Sequence, residues 1–118
     1  INDSNYNVIQ ADFIIEGANQ PISLVADLEL RAQGIVIVPD ILANSGGVMG
    51  SYFEWTQNIQ EYSWSLDKFR KELDHRMEKA FSHVFKASRQ YNTDLRTAAF
   101  ILSVGRVANA FEMRGALV

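Results

Sequence analysis

Cysteine is absent from these 118 residues. This excludes disulfides, thiol nucleophiles and Cys-ligated metal within the chain, and it is compatible with a cytoplasmic location. No basic run offsets the net charge of −3, which argues against nucleic acid and against an anionic membrane surface as partners. The longest uninterrupted apolar stretches, such as Ile35 to Pro39, are far too short to span a bilayer. No signal peptide is visible, and there are neither repeats nor low-complexity segments. His75 and His83 lie on one helical stretch with no carboxylate and histidine cluster at ligand spacing, so metal binding is not expected. An initiator Met is missing as well, and the chain opens on a polar stretch, Ile1 to Asn7. The expectation is a piece of a longer protein.

What is present is ordinary for a packed domain. Apolar residues make up 47% and charged residues 21%, a balance that supports a modest core rather than disorder. Ala11 to Ile15 is a mostly apolar run that ends at Glu16-Gly17-Ala18-Asn19, and it reads as a buried strand followed by a loop. Gly17, Asn19 and Pro21 supply turn chemistry. Ser23 is placed to cap a helix over Leu24 to Gln33, closed by Gly34. Ile35 to Val38 is a second β-branched run, stopped by Pro39. Strand, helix, strand makes a parallel βαβ unit with a right-handed crossover.

Helix dominates the remainder. A third helical segment is expected from Leu42 to Glu61, then a break at Tyr62-Ser63-Trp64. Ser65 can cap a helix over Leu66 to Gln90. Its residues Leu66, Phe69, Leu73, Met77, Ala80, Phe81, Val84 and Phe85 recur in steps of three and four, giving one apolar stripe. A last helix, Asp94 to Arg114, carries Ala98, Ala99, Ala108 and Ala110 and can pack closely against its neighbours. Gly115 suits the position just past its end.

Two short polar loops follow the two strands, and ligands of parallel sheets bind beyond the carboxyl ends of strands. If the strands are neighbours, Asn19 and Asn44 converge on one crevice. Two amides suit a carboxamide or a ribose, because each offers donor and acceptor; equally, both asparagines could cap turns or helices. Asn44, Val48 and Ser51 are spaced i, i+4, i+7 and share a helix face. That face could hold a small anionic ligand at a helix start, or the adjacent glycines could serve close packing. Gly46-Gly47-Val48-Met49-Gly50 lacks the Lys of a phosphate loop and the spacing of a dinucleotide fingerprint. Asp12, Glu16, Asp27 and Asp40 are the acids nearest the crevice, and no pair among them can be assigned as acid and base. Trp55, Trp64, Tyr52 and Phe53 read as core or interface.

Glu16-Gly17-Ala18-Asn19-x-Pro21, Ala26-Asp27, Val38-Pro39-Asp40-Ile41-Leu42-Ala43-Asn44, Gly46-Gly47-Val48 and Ser51-Tyr52-Phe53-Glu54-Trp55-x-Gln57-Asn58 together resemble the C-terminal part of the glutamate dehydrogenases. Leu95-Arg96-Thr97-Ala98-Ala99-Phe100-Ile101-Leu102 and Arg114-Gly115 resemble the family's last helix. The resemblance covers nearly the whole chain. It implies an α/β class: the end of a Rossmann-like cofactor domain in residues 1–62, then helices in residues 63–118 packing towards the substrate domain. It implies reversible oxidative deamination of L-glutamate to 2-oxoglutarate and ammonia with NAD or NADP, in a homohexamer. Carried over by position, Gly17, Ala18, Asn19 and Asn44 meet the cofactor. Ser51, Val48 and Asn44 meet the substrate, with Ser51 bonding its side-chain carboxylate. The family's catalytic lysine and aspartate and its glycine-rich turn match nothing here, so the chain alone is expected to be inactive.

Gln20, Ile22, Ser23, Met49, Gly50 and Gly105 depart from the family pattern. Gly50 is expected to weaken the helix by up to about 1 kcal/mol relative to Ala. No long insertion separates the last two helices, so the antenna of animal-type enzymes is not expected. Two other functions fit the same residues: a non-catalytic helical interaction module derived from such an enzyme, and a related leucine or phenylalanine dehydrogenase.

Overall fold

A computed structural model describes residues 1–115. A 3-10 turn at Tyr6–Val8 precedes β1 (Phe13–Ile15), α1 (Leu24–Ala32), β2 (Val36–Val38), α2 (Asp40–Ala43), α3 (Ser45–Gln60), α4 (Leu66–Gln90) and α5 (Leu95–Met113). The α/β class is as expected, a short parallel βαβ unit leading into long helices. The last residues of the region expected over 63–118, numbers 116 to 118, lie outside the described residues.

The local signals act as read. Ser23 Oγ accepts the Ala26 N–H and also bonds Asp3, which starts α1. Gly34 ends its turn at φ +88, a left-handed conformation that glycine adopts without a Cβ clash. Ser65 caps α4 by accepting the Lys68 N–H; Asp94, expected as the first residue of the last helix, stands just before α5 and caps it by accepting the Thr97 N–H.

β1 and β2 pair in parallel, Phe13 opposite Val36, Ile14 opposite Ile37 and Ile15 opposite Val38. Alternation sends Ile14 and Ile37 to the face covered by α1, where they pack with Leu30 and Ile35. On the other face Val38 joins a helical core of Leu42, Val84, Ala87, Leu95, Ala98 and Ala99. Ala98 and Ala99 are buried at the α4–α5 contact because their small side chains let the two helices approach. Phe13 and Ile15 on that same sheet face stay 67% and 71% exposed, although parallel sheets are normally covered on both sides.

Two expectations change. The helix expected over Leu42 to Glu61 is two helices. α2 begins at Asp40, because the Glu16 carboxylate accepts the Asp40 N–H at 2.7 Å and so caps it from a distant part of the chain. Asn44 then interrupts the run at φ −93, ψ −2, and Ser45 Oγ satisfies the freed Leu42 carbonyl at 2.7 Å. The single stripe on α4 divides in two. Val84 faces the core, whereas Leu66, Phe81 and Phe85 are exposed. Phe81 and Phe85 stack on each other and border, with Phe13, Val36 and Val38, a cavity of about 680 Å³ at the open sheet face.

Gly46 and Gly50 of α3 lie against α4. A Cβ on Gly46 would lie 3.6 Å from Met77 Sδ, and one on Gly50 3.4 Å from Phe69 Cζ. Beyond them Phe53 is buried against Trp64 and edge-on to Phe69. Trp55 and Tyr52 are exposed.

Candidate functional site

The two loops at the carboxyl ends of β1 and β2 touch. Asn44 Nδ2 donates to Asn19 Oδ1 across 2.7 Å. Asn19 sits in an exposed loop with Gly17 and Ala18, and Asn44 sits half-buried at the junction of α2 and α3. One turn and two turns further along α3 come Val48, which is 76% exposed, and the exposed Ser51. Ser51 Oγ donates to the Gly47 carbonyl at 3.2 Å, which leaves its oxygen free to accept. Gly47 has open space where a Cβ would stand.

Beneath this surface lies an ion cluster. Arg96, half-buried in the first turn of α5, donates to Glu16 at 2.7 Å, to Asp27 at 3.0 Å and to Asp40 at 3.2 Å. Arg31 bridges Asp27 at 2.7 Å and Asp94 at 2.9 Å. Glu16 and Asp27 are buried. Among the described residues no buried side-chain polar atom lacks a partner, the condition under which a buried ionic network is stable.

Backbone groups complete the cluster. Asp40 accepts the Gln20 N–H at 2.8 Å and Glu16 accepts the Asp40 N–H at 2.7 Å. The Gln20 N–H, ahead of the Ile41 N–H and the Arg96 charge, holds the Asp40 carboxyl below the usual carboxylate range against the effect of burial. Burial works to raise Asp94, but the Thr97 N–H and hydroxyl and the Arg31 charge outweigh it and lower the pKa. For Arg96, burial opposes the charge, and the hydrogen bonds to Glu16 and Asp27 outweigh it and raise the pKa.

Three of the four acids nearest the crevice are therefore structural partners of Arg96. Asp12 is apart from them, exposed, with its carbonyl accepting the Val36 N–H. His75 and His83 are both exposed, and among the described residues no cluster of His, Asp and Glu could hold a metal ion. The residue that sequence reading passed over is Arg96. One signal pointed to it: a cation in the first turn of a helix opposes the helix dipole, so it needs carboxylates from elsewhere, and Glu16, Asp27 and Asp40 converge there.

The family model described as Glutamate/Leucine/Phenylalanine/Valine dehydrogenase matches residues 1–115. The chain belongs to this family. As a member of the Glu/Leu/Phe/Val dehydrogenases it is similar to a glutamate dehydrogenase of Thermotoga maritima, with 49% identity over 115 residues, 98% of this chain and 28% of the relative. It superposes on the crystal structure of glutamate dehydrogenase from Peptoniphilus asaccharolyticus with a TM-score of 0.91 and 36% identity, over 98% of this chain and 29% of that one. A hetero-hexameric glutamate dehydrogenase from Thermus thermophilus, in a leucine-bound form, gives a TM-score of 0.91 at 29% identity, over 94% of this chain and 27% of that one. The chain thus spans less than a third of the length of these dehydrogenases.

Proposed function

We propose that this chain forms one wall of the active site of a glutamate dehydrogenase, which interconverts L-glutamate with 2-oxoglutarate and ammonia using NAD or NADP. The observation that carries this reading is the Asn19–Asn44 contact, at the strand ends and beside the exposed Val48 and Ser51. The names of the similar proteins support it.

The donor set fits a nicotinamide carboxamide. With one Asn44 N–H given to Asn19 Oδ1, Asn19 keeps both of its amide hydrogens and Asn44 keeps its carbonyl oxygen. A carboxamide needs one donor and one acceptor in return. Asn19 and Asn44 would hold that end of the dinucleotide, with Gly17 and Ala18 lining the same side. The dinucleotide supplies the hydride donor or acceptor. Ser51 would bond the substrate's side-chain carboxylate, and Val48 would pack its methylene stem. These are positioning roles. The nearby acids are committed to Arg96 and to backbone N–H groups, so proton transfer belongs to residues elsewhere in the full-length enzyme. By itself the chain is inactive.

In this reading residues 1–62 close the dinucleotide-binding domain and residues 63–118 run towards the substrate domain. The open face at Phe13, Ile15 and Val36 supports a continuation of the domain there. The whole protein in this reading is a homohexamer; the hetero-hexameric relative supports the six-subunit assembly. It is cytoplasmic, in line with the absence of cysteine. No helix among the described residues is long and apolar enough to cross a membrane.

The test is nicotinamide absorbance with the full-length protein offered glutamate, leucine or phenylalanine. Glutamate-dependent reduction is expected. A preference for leucine or phenylalanine would move the protein to another branch of the family, and no turnover with any of the three would overturn the reading.

A further inference from the structure

We propose that Arg96 is a positioning residue for the Asn19–Asn44 pair, acting through a reciprocal clamp between the two loops; the inference rests on the functional reading above. Arg96 donates a hydrogen bond to neither asparagine. It donates instead to Glu16, at the end of β1, and to Asp40, at the start of α2.

Those two carboxylates are cross-connected. The side chain of Glu16 accepts the backbone N–H of Asp40 at 2.7 Å, and the side chain of Asp40 accepts the backbone N–H of Gln20 at 2.8 Å. Each loop thus holds the backbone of the other. The asparagines lie one step from these points. Asn19 immediately precedes Gln20. Asn44 is one helical turn beyond Asp40, with its N–H on the Asp40 carbonyl at 3.1 Å. Gln20 has φ 45, a left-handed conformation that costs a non-glycine residue energy and persists only when its surroundings enforce it. The Asp40 carboxylate is what enforces it.

The clamp places two carboxylates against each other, with Asp27 as a third, and like charges at this range repel. Arg96 lies among all three. Without it, Arg31 is left with Asp27 and Asp94, and among the described residues Glu16 and Asp40 keep no ion-pair partner. The loops would relax apart, and the 2.7 Å contact between the asparagines would open although neither asparagine had changed. A guanidinium is required rather than a charge alone, because its fork spans several carboxylates and a lysine ammonium does not.

The test uses the full-length enzyme with Arg96→Lys, Arg96→Gln and, should Arg96→Gln fail to fold, Asp40→Asn. Three measurements are made: kcat with glutamate, affinity for the reduced dinucleotide and for ADP-ribose (which lacks the nicotinamide ring), and hydrogen exchange at Gln20 and Asp40. In folded Arg96→Lys, kcat should fall about ten- to a hundredfold, the order a misplacement of about 1 Å costs. Affinity for the dinucleotide should weaken while affinity for ADP-ribose stays within about twofold, a factor worth only ~0.4 kcal/mol. Exchange at Gln20 and Asp40 should rise at least about tenfold, as expected of a local opening, with α4 unchanged. Unchanged kcat and exchange in the folded variants would overturn the proposal, as would an equal loss of ADP-ribose binding, which would signify general damage. If the unmodified enzyme does not oxidise glutamate, the functional reading falls, and exchange at Gln20 and Asp40 still decides the clamp.

Discussion

Asn44 donates its side-chain amide to Asn19 across 2.7 Å, although 25 residues separate them in the chain. The contact joins the loop after β1 to the break between α2 and α3, and it leaves a donor and an acceptor facing outward. Asn44→Asp removes the donor and sets two acceptors against each other. In the full-length enzyme kcat/KM with glutamate should fall about ten- to a hundredfold, equivalent to ~1.4–2.7 kcal/mol of lost transition-state stabilisation. The melting temperature should move little, because Asn19 is exposed and Asn44 only half-buried. Steady-state kinetics beside a thermal melt checks both halves.

Among the described residues the Ser51 side chain makes one hydrogen bond, to the Gly47 carbonyl. Ser51→Ala should therefore change stability by less than about 0.5 kcal/mol. Loss of a hydroxyl bonded to a carboxylate is worth ~1.5–3 kcal/mol, so KM for glutamate should rise roughly tenfold or more. Affinity for the dinucleotide should stay as it was. An unchanged KM would remove Ser51 from the substrate pocket.

The glycines divide by what surrounds them. Gly34, at φ +88, cannot take a Cβ without strain, and Gly34→Ala should destabilise by about 1 kcal/mol or more. Gly50 is helical, and a Cβ there would meet Phe69 at 3.4 Å. Gly50→Ala gains helix propensity of up to about 1 kcal/mol against a tight contact, so stability should hold or rise. Gly50→Val adds bulk that Phe69 blocks and should lower it. Thermal unfolding of the three variants gives the order.

Asp40 and Asp94 both titrate below their ordinary value of 3.8. A carboxyl with a depressed folded-state pKa binds its proton more readily when unfolded, so it stabilises the fold above the unfolded pKa and loses that contribution as pH falls. Stability should be flat above the ordinary value and decline below it. Asp94→Asn keeps a capping side chain for α5 but removes the titration, and should flatten the acid limb at the cost of the Arg31 bridge. Denaturant melts across that pH range report the slope.

Much of the fold could be read one residue at a time. Ser23 and Ser65 as caps, Gly34 and Gly115 as terminators and the β-branched run Ile35 to Val38 are local signals. They satisfy or spare backbone groups within a few residues of themselves, and the structure places them as read. The break at Asn44 was not legible. Nor was the start of α2 at Asp40, which the Glu16 carboxylate caps from 24 residues away with nothing near Asp40 in the chain to announce it. The division of the α4 stripe was also hidden, because a 25-residue helix shows one continuous apolar face whether or not neighbours cover all of it.

The element types, the parallel βαβ unit and the family were legible in the sequence, because each depends on spacing along the chain or on an ordered run of motifs. Only the tertiary structure decided which acids surround Arg96, how Glu16 and Asp40 hold each other's backbone, and that Asn19 meets Asn44. Those contacts join β1, α1, α2 and α5. Charge pairing and hydrogen bonding act through space over a few ångströms, and a linear order of residues does not contain those distances until the chain has folded.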